Sequence, residues 1–158
     1  MGSDSDLGVM EESVKVLKDF QIPHEVVLTS AHRSPERTSA FAKKAAQRGV
    51  HVIIVGAGAA AHLAGVIASQ TSLPVIGVPI DATALQGLDA LLATVQMPGG
   101  VPVAAMAIGK AGAKNAALMA VRILALTDED LRKKLNTYIQ NMARDVERKQ
   151  ANLNAANP

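Results

Sequence analysis

The sequence predicts an α/β fold built on a doubly wound parallel sheet, and three observations carry that prediction. Apolar, strand-like runs alternate with helix-like stretches along the 158 residues, the alternation that places a parallel sheet under right-handed crossovers. Residues 50 to 55 form an apolar run interrupted by His51, as expected of a strand covered on both faces. Short polar or glycine-rich segments stand at three junctions where a strand gives way to a helix: Gly2-Ser3-Asp4-Ser5-Asp6, Ser30-Ala31-His32-Arg33-Ser34-Pro35, and Gly56-Ala57-Gly58-Ala59-Ala60-Ala61-His62. In an open α/β sheet the ligand crevice lies beyond the carboxyl ends of the strands, so loops distant in sequence converge there.

The elements follow in order. Leu7, Met10, Val14 and Leu17 recur at helical spacing over residues 7 to 20, with Pro23 beyond the end, and residues 24 to 28 then read as a short strand. Pro35 suits the first turn of a second helix, residues 35 to 48, which Gly49 terminates ahead of the strand at 50 to 55. A third helix is expected over about 62 to 71, a strand over 75 to 78, a short helix over 87 to 95, and another strand over 101 to 108 after the turn Met97-Pro98-Gly99-Gly100. Residues 111 to 126 are apolar almost all round, which predicts burial against a partner subunit. The long last helix is expected to take Thr127 as its cap and to carry a stripe of Leu131, Leu135, Tyr138, Met142 and Val146, with a frayed tail after 151. The first polar loop begins at Gly2, which reduces the strand before it to Met1, although the first strand of such a sheet is usually central. The expectation is that residues preceding Met1 complete it.

Length and a 49% hydrophobic composition suit a single catalytic domain over residues 1 to 158. No run reaches the roughly 20 apolar residues of a membrane span, and no secretory signal pattern opens the chain, so a cytoplasmic protein without membrane contact is expected. Cysteine is absent, and the four histidines, at 24, 32, 51 and 62, show no close ligand spacing, so no metal is required. Net charge is +2 with three aromatic residues in all, which leaves no concentrated basic face and little stacking surface for nucleic acid.

The loops suggest their own chemistry. The first offers backbone N–H groups and a helix N-terminus to an anionic or polyhydroxylated ligand, and Asp6 is a good acceptor for ribose hydroxyls, although Ser5 or Asp6 can equally be a helix cap. In the second, Arg33 can fork onto a phosphate, Ser30 and Ser34 add hydroxyl donors, and His32 can give and take protons near neutrality. The third satisfies G-x-G-x-x-A, with Asp81 about 20 residues further on, and so admits a nicotinamide-dinucleotide reading. It equally suits a loop that lets a ligand touch backbone at Gly58 and Ala59, with His62 capping the loop or contacting the ligand. His24 and His51, at strand starts, read as structural.

Taken together, these three segments with Gln96-Met97-Pro98-Gly99-Gly100-Val101-Pro102-Val103 and Ala107-Ile108-Gly109 resemble the N5-carboxyaminoimidazole ribonucleotide mutase family, over nearly the whole chain. The resemblance implies a flavodoxin-like three-layer αβα sandwich, assembly as a homo-octamer, and transfer of a carboxylate from the exocyclic nitrogen of a ribonucleotide to C4 of its imidazole, with no cofactor and no metal. Carried over by position, Ser3, Asp6 and Arg33 bind the nucleotide, with Ser5 and Ser30 beside them, and His32 is the acid/base. The chain departs from the family pattern at Ala59 and Ala64, where a further glycine pair and a proline are usual. A related branch carboxylates aminoimidazole ribonucleotide directly with carbon dioxide.

Overall fold

In a computed structural model of the chain, residues 1–156 are described. Two compact units emerge, one of residues 1–120 and one beginning at Val121. The first holds a parallel sheet of three strands in the order β1 (Ile53–Gly58), β2 (Val75–Ile80), β3 (Ala104–Ala105). Register runs from Ile53 opposite Val75 to Gly58 opposite Ile80, and continues from Ile76 opposite Ala104. Helices α1 (Leu7–Asp19), α2 (Pro35–Ala45), α3 (Leu63–Ala68) and α4 (Leu88–Val95) separate or precede the strands, followed by α5 (Gly109–Leu124) and α6 (Glu129–Ala156). This is the doubly wound parallel α/β arrangement the alternation predicts.

β2 is buried along its whole length, and its Ile76 and Val78 are among the least exposed large side chains. Ile53, Val55, Ala64 and Ile67 join Ala42 and Ala45 of α2 and Ala90 of α4 in one apolar cluster. Alanine and β-branched residues dominate it because helices must lie close on a pleated surface that stiff side chains already fill. A glycine is required where two elements meet most tightly: a Cβ at Gly77 of β2 would overlap Thr94 Cγ2 of α4. Helix ends follow local chemistry too. Pro35 stands in the first turn of α2, and Gly49, at φ +79°, closes the turn that follows it, with Val50 N–H donating to Ala45 O.

Several expectations are corrected. Residues 24–29 form no strand. Met1 O accepts from Thr29 N–H at 3.0 Å, the Met1 ammonium donates to Val27 O at 2.9 Å, and Gly2 N–H donates to Gly56 O at 3.2 Å. Met1 and Gly2 thus lie between this segment and β1, and so short a bridge does not make a strand. Val26 and Leu28 are exposed accordingly. The strand expected from Val50 begins only at Ile53, because Val50 still caps the preceding helix. The strand expected over 101 to 108 shrinks to Ala104–Ala105, since Val101 N–H turns back to Pro98 O and Pro102 has no N–H to offer a ladder.

On α1 the inward face is Met10, Ser13, Val16 and Phe20, not the stripe through Leu7, Val14 and Leu17. The buried Ser13 hydroxyl donates to Ala113 O at 2.6 Å, so a polar residue marks the buried face. That contact also bears on α5, whose Ala113, Ala116, Ala117 and Ala120 are buried within the chain itself, so a partner subunit is not needed to explain their apolarity.

In the second unit, Asp128 and not Thr127 caps α6, its Oδ1 accepting from Leu131 N–H at 2.9 Å. Leu131 and Leu135 are buried, whereas Met142 and Val146 are exposed. The helix continues to Ala156; residues 157 and 158, the end of the expected tail, lie outside the described residues. Among the described residues no helix is long and apolar enough to cross a membrane.

Candidate functional site

The three loops singled out in the sequence are joined by direct hydrogen bonds. Arg33 Nη2 donates to Gly2 O at 2.9 Å, tying the second loop to the first. Gly2 N–H donates to Gly56 O, tying the first to β1 and the third. His32 Nε2 and His62 Nδ1 lie 2.9 Å apart, their rings edge to face at 84°, which links the second loop to the third. His32, Arg33 and His62 are all exposed, so a cluster rich in proton carriers and donors faces solvent at the carboxyl end of β1.

The first loop is a tight turn at Asp4–Asp6 closed by a capping box. Ser3 Oγ accepts from Ser5 N–H at 3.3 Å, and Asp6 Oδ2 accepts from Ser3 N–H at 2.9 Å. Capping in this segment therefore falls to Ser3, while Asp6 makes no side-chain cap to α1. Ser5 Oγ reaches Ser3 Oγ at 2.8 Å. Asp6 is 4% exposed. Burial pushes its carboxyl above the ordinary range, against the pull of the Ser3 and Gly2 N–H groups, the chain's amino group and Arg33.

The second loop is knitted by hydroxyls. Ser30 N–H donates to Ser34 Oγ at 3.0 Å, Ser30 Oγ accepts from Arg33 N–H at 3.2 Å, and Ser34 N–H returns to Ser30 O. Beneath it Thr38 Oγ1 donates to Ser34 O at 3.2 Å and lies 2.8 Å from the buried Thr29 Oγ1. Sequence reading passes over Thr29 and Thr38. The available signal is a hydroxyl one helical turn beyond Ser34, on the face that α2 buries.

The third loop is held by backbone. Gly56 and Gly58 lie inside β1, not in the turn after it. A Cβ on Gly56 would strike Met10 Sδ, and one on Gly58 would fall 2.5 Å from Ala82 Cβ and 3.1 Å from Ile80 O. These glycines are therefore used for packing inside the strand, which removes the structural basis of the dinucleotide reading, where the first must make the tight turn after the strand and the second lie against a pyrophosphate. Ala59 takes φ +52°, and Ala61 N–H and His62 N–H turn back to Ala59 O (2.8 Å) and Ala60 O (2.7 Å). A non-glycine residue in the left-handed region costs about 1 kcal/mol, a cost met here where the loop must swing His62 toward His32. Ala64, by contrast, is buried in the apolar cluster. Asp81 follows β2, close to Gly87 and Gly109, and His24 Nδ1 lies 2.8 Å from Ile22 O.

The group so assembled, a hydrogen-bonded imidazole pair, a guanidinium, several hydroxyls and a buried carboxylate, suits proton transfer on a small anionic, hydroxylated ligand. Among the described residues no group of three or more histidine, aspartate or glutamate side chains is arranged to hold a metal ion.

Comparison with known proteins adds to this geometry. The family model described as AIR carboxylase matches residues 1–145. The chain is 57% identical over 149 residues to an N5-carboxyaminoimidazole ribonucleotide mutase of Pyrococcus horikoshii, covering 94% of this chain and 83% of the relative. It is 49% identical over 138 residues to the protein of the same name from Escherichia coli, covering 87% and 82%. Among solved structures, Treponema denticola PurE superposes with a TM-score of 0.86 at 27% identity, covering 97% of this chain and 94% of that one; the shared architecture is the flavodoxin-like α/β fold.

Proposed function

Because the chain belongs to the AIR carboxylase family, we propose that it converts N5-carboxyaminoimidazole ribonucleotide to 4-carboxy-5-aminoimidazole ribonucleotide in purine biosynthesis. The observation that carries the reading is the convergence of His32, Arg33 and the capped first loop at one strand end, in a chain whose relatives bear the mutase name over most of their length. Arg33 and the hydroxyls of Ser3, Ser5 and Ser30 supply donors for a phosphate and ribose, and Asp6 an acceptor for ribose hydroxyls.

In this reading His32 enters as an imidazolium and protonates the carbamate nitrogen. The carbon–nitrogen bond breaks, its electron pair stays on nitrogen, and carbon dioxide is released beside the ring. C4 of the resulting enamine attacks the carbon dioxide, and the now neutral His32 removes the C4 proton. The imidazolium is regenerated, so protons balance over the cycle and one group serves both transfers. Gly58 at the end of β1 and Ala59 and His62 in the loop after it stand beside this chemistry, and small residues there leave room to hold carbon dioxide near C4.

The octameric assembly belongs to the same proposal. Leu85, Leu88, Leu92 and Val95 on and before α4 are all exposed, a continuous apolar stripe of the kind that marks a protein interface. The decisive assay incubates the protein with the carbamate ribonucleotide and, separately, with aminoimidazole ribonucleotide plus bicarbonate, following product absorbance. Faster turnover of the carbamate is expected; preference for the second pair would replace the mutase with the direct carboxylase, and silence with both would end the reading.

A further inference from the structure

Building on the mutase reading, we propose that His62 is a positioning residue that fixes which nitrogen of His32 reacts. The two imidazoles come from different loops and meet Nε2 to Nδ1 at 2.9 Å. Such a bond requires one N–H and one lone pair, so the bonded pair holds at most one imidazolium. His32 Nε2 is engaged by His62, which leaves His32 Nδ1 as the nitrogen available to the substrate.

The reaction makes opposite demands on that atom. It must carry a proton when the carbamate nitrogen is protonated and present an empty lone pair when the C4 proton is removed. His62, neutral with its own proton on Nε2, meets both by accepting from His32 Nε2–H throughout. When the imidazolium gives up its Nδ1 proton, the remaining tautomer is the one with the lone pair on Nδ1. Without an acceptor at Nε2 the neutral ring is free to carry its proton on Nδ1 instead, and the base then points away from C4. In metal sites the groups that orient a ligating histidine through its second nitrogen typically contribute about 10- to 100-fold, and an effect of that order is expected for the same orienting role here.

The third loop is built to aim this acceptor. The left-handed turn at Ala59, the two tight returns to Ala59 O and Ala60 O, and the Val66 N–H to His62 O bond at 2.9 Å fix the backbone from which His62 reaches across. His62 makes no side-chain cap to α3, although it stands at that position, so its ring is left for His32.

The test compares His62→Leu with His62→Asn in the full chain labelled with ¹⁵N-histidine. Asparagine places a carbonyl oxygen near the position of Nδ1 and can accept the same bond; leucine cannot. Long-range ¹H–¹⁵N spectra at about pH 9, where imidazole is ordinarily neutral, are expected to show His32 as the Nε2–H tautomer in the parent protein and in His62→Asn, and as a mixture in His62→Leu. In His62→Leu, kcat for the carbamate ribonucleotide is expected to fall about 10- to 100-fold with KM within about 3-fold, and His62→Asn to recover most of it. An unchanged His32 tautomer in His62→Leu, no recovery in His62→Asn, or a raised KM at constant kcat would each overturn the proposal. The spectra require no turnover, so a parent protein inert toward the carbamate would refute the reaction reading while the tautomer result still decides the pairing.

Discussion

The loop at residues 30–35 and the loop at residues 58–62 face each other across the His32–His62 bond, yet they are held by opposite means. In the first, side chains do the binding: Ser30, Ser34, Thr38 and Thr29 form a chain of hydroxyl bonds running from the surface into the core. In the second, the absence of side chains does it, with glycines in β1 packed against Ala82 and Met10 and a left-handed alanine turning the exit. A polar loop shows its purpose in its composition, because hydroxyls, imidazole and guanidinium each imply a partner. A loop of glycine and alanine shows nothing until its neighbours are known.

The sharpest break in this comparison is at its meeting point. His32→Asn is expected to lower turnover of the carbamate ribonucleotide by about 10²- to 10⁴-fold, the contribution of a positioned acid/base, while leaving ribonucleotide binding in place. Near-normal turnover, measured by steady-state kinetics beside equilibrium binding, would detach the second loop from the chemistry.

The two modes of support predict opposite sensitivities. Gly58→Ala adds a methyl 2.5 Å from Ala82 Cβ and is expected to cost about 1–3 kcal/mol by overpacking. Thr38→Val removes a buried hydroxyl and leaves Thr29 without that partner, at a cost of about 1–2 kcal/mol. Urea unfolding checks both; a neutral Gly58→Ala would show that the third loop is not held by close packing.

The smallest expected effect separates support from function in the first loop. Burial raises the Asp6 carboxyl above its ordinary range, so its contribution to stability is present at pH below the unfolded value, near 4, and is lost as pH rises through the folded one. At pH 7 the ionised group is therefore a burden on the fold. Asp6→Asn keeps an acceptor for Ser3 N–H and is expected to raise Tm by about 2 °C at pH 7, the gain fading below about pH 4, while ribonucleotide binding weakens. A lower Tm at pH 7 would show that the carboxylate supports structure instead.

Much of this was legible in the sequence. The strand–helix alternation identifies the parallel sheet, and Pro35 and Gly49 mark a helix start and stop that the structure keeps. The three loops do meet. What was hidden depends on tertiary partners. Residues 24–29 have strand-forming composition but bond to the short Met1–Gly2 segment, and a strand is a property of a pair. Ser13 disguises the buried face of α1 because its hydroxyl is satisfied by a carbonyl 100 residues away. The alanines of α5 looked unpartnered because a sequence does not show which surfaces its own chain covers. The pairing of His62 with His32 turns on a left-handed alanine, a conformation that residue type argues against.

The glycines of β1 carry a consequence for redesign. Gly56 and Gly58 leave no volume for a larger residue, so attempts to reshape the loop cluster for other ligands by enlarging β1 beneath it will damage the scaffold before they alter selectivity. Diversity belongs instead at Ala60, whose side chain is exposed and whose backbone is free of the left-handed constraint next door.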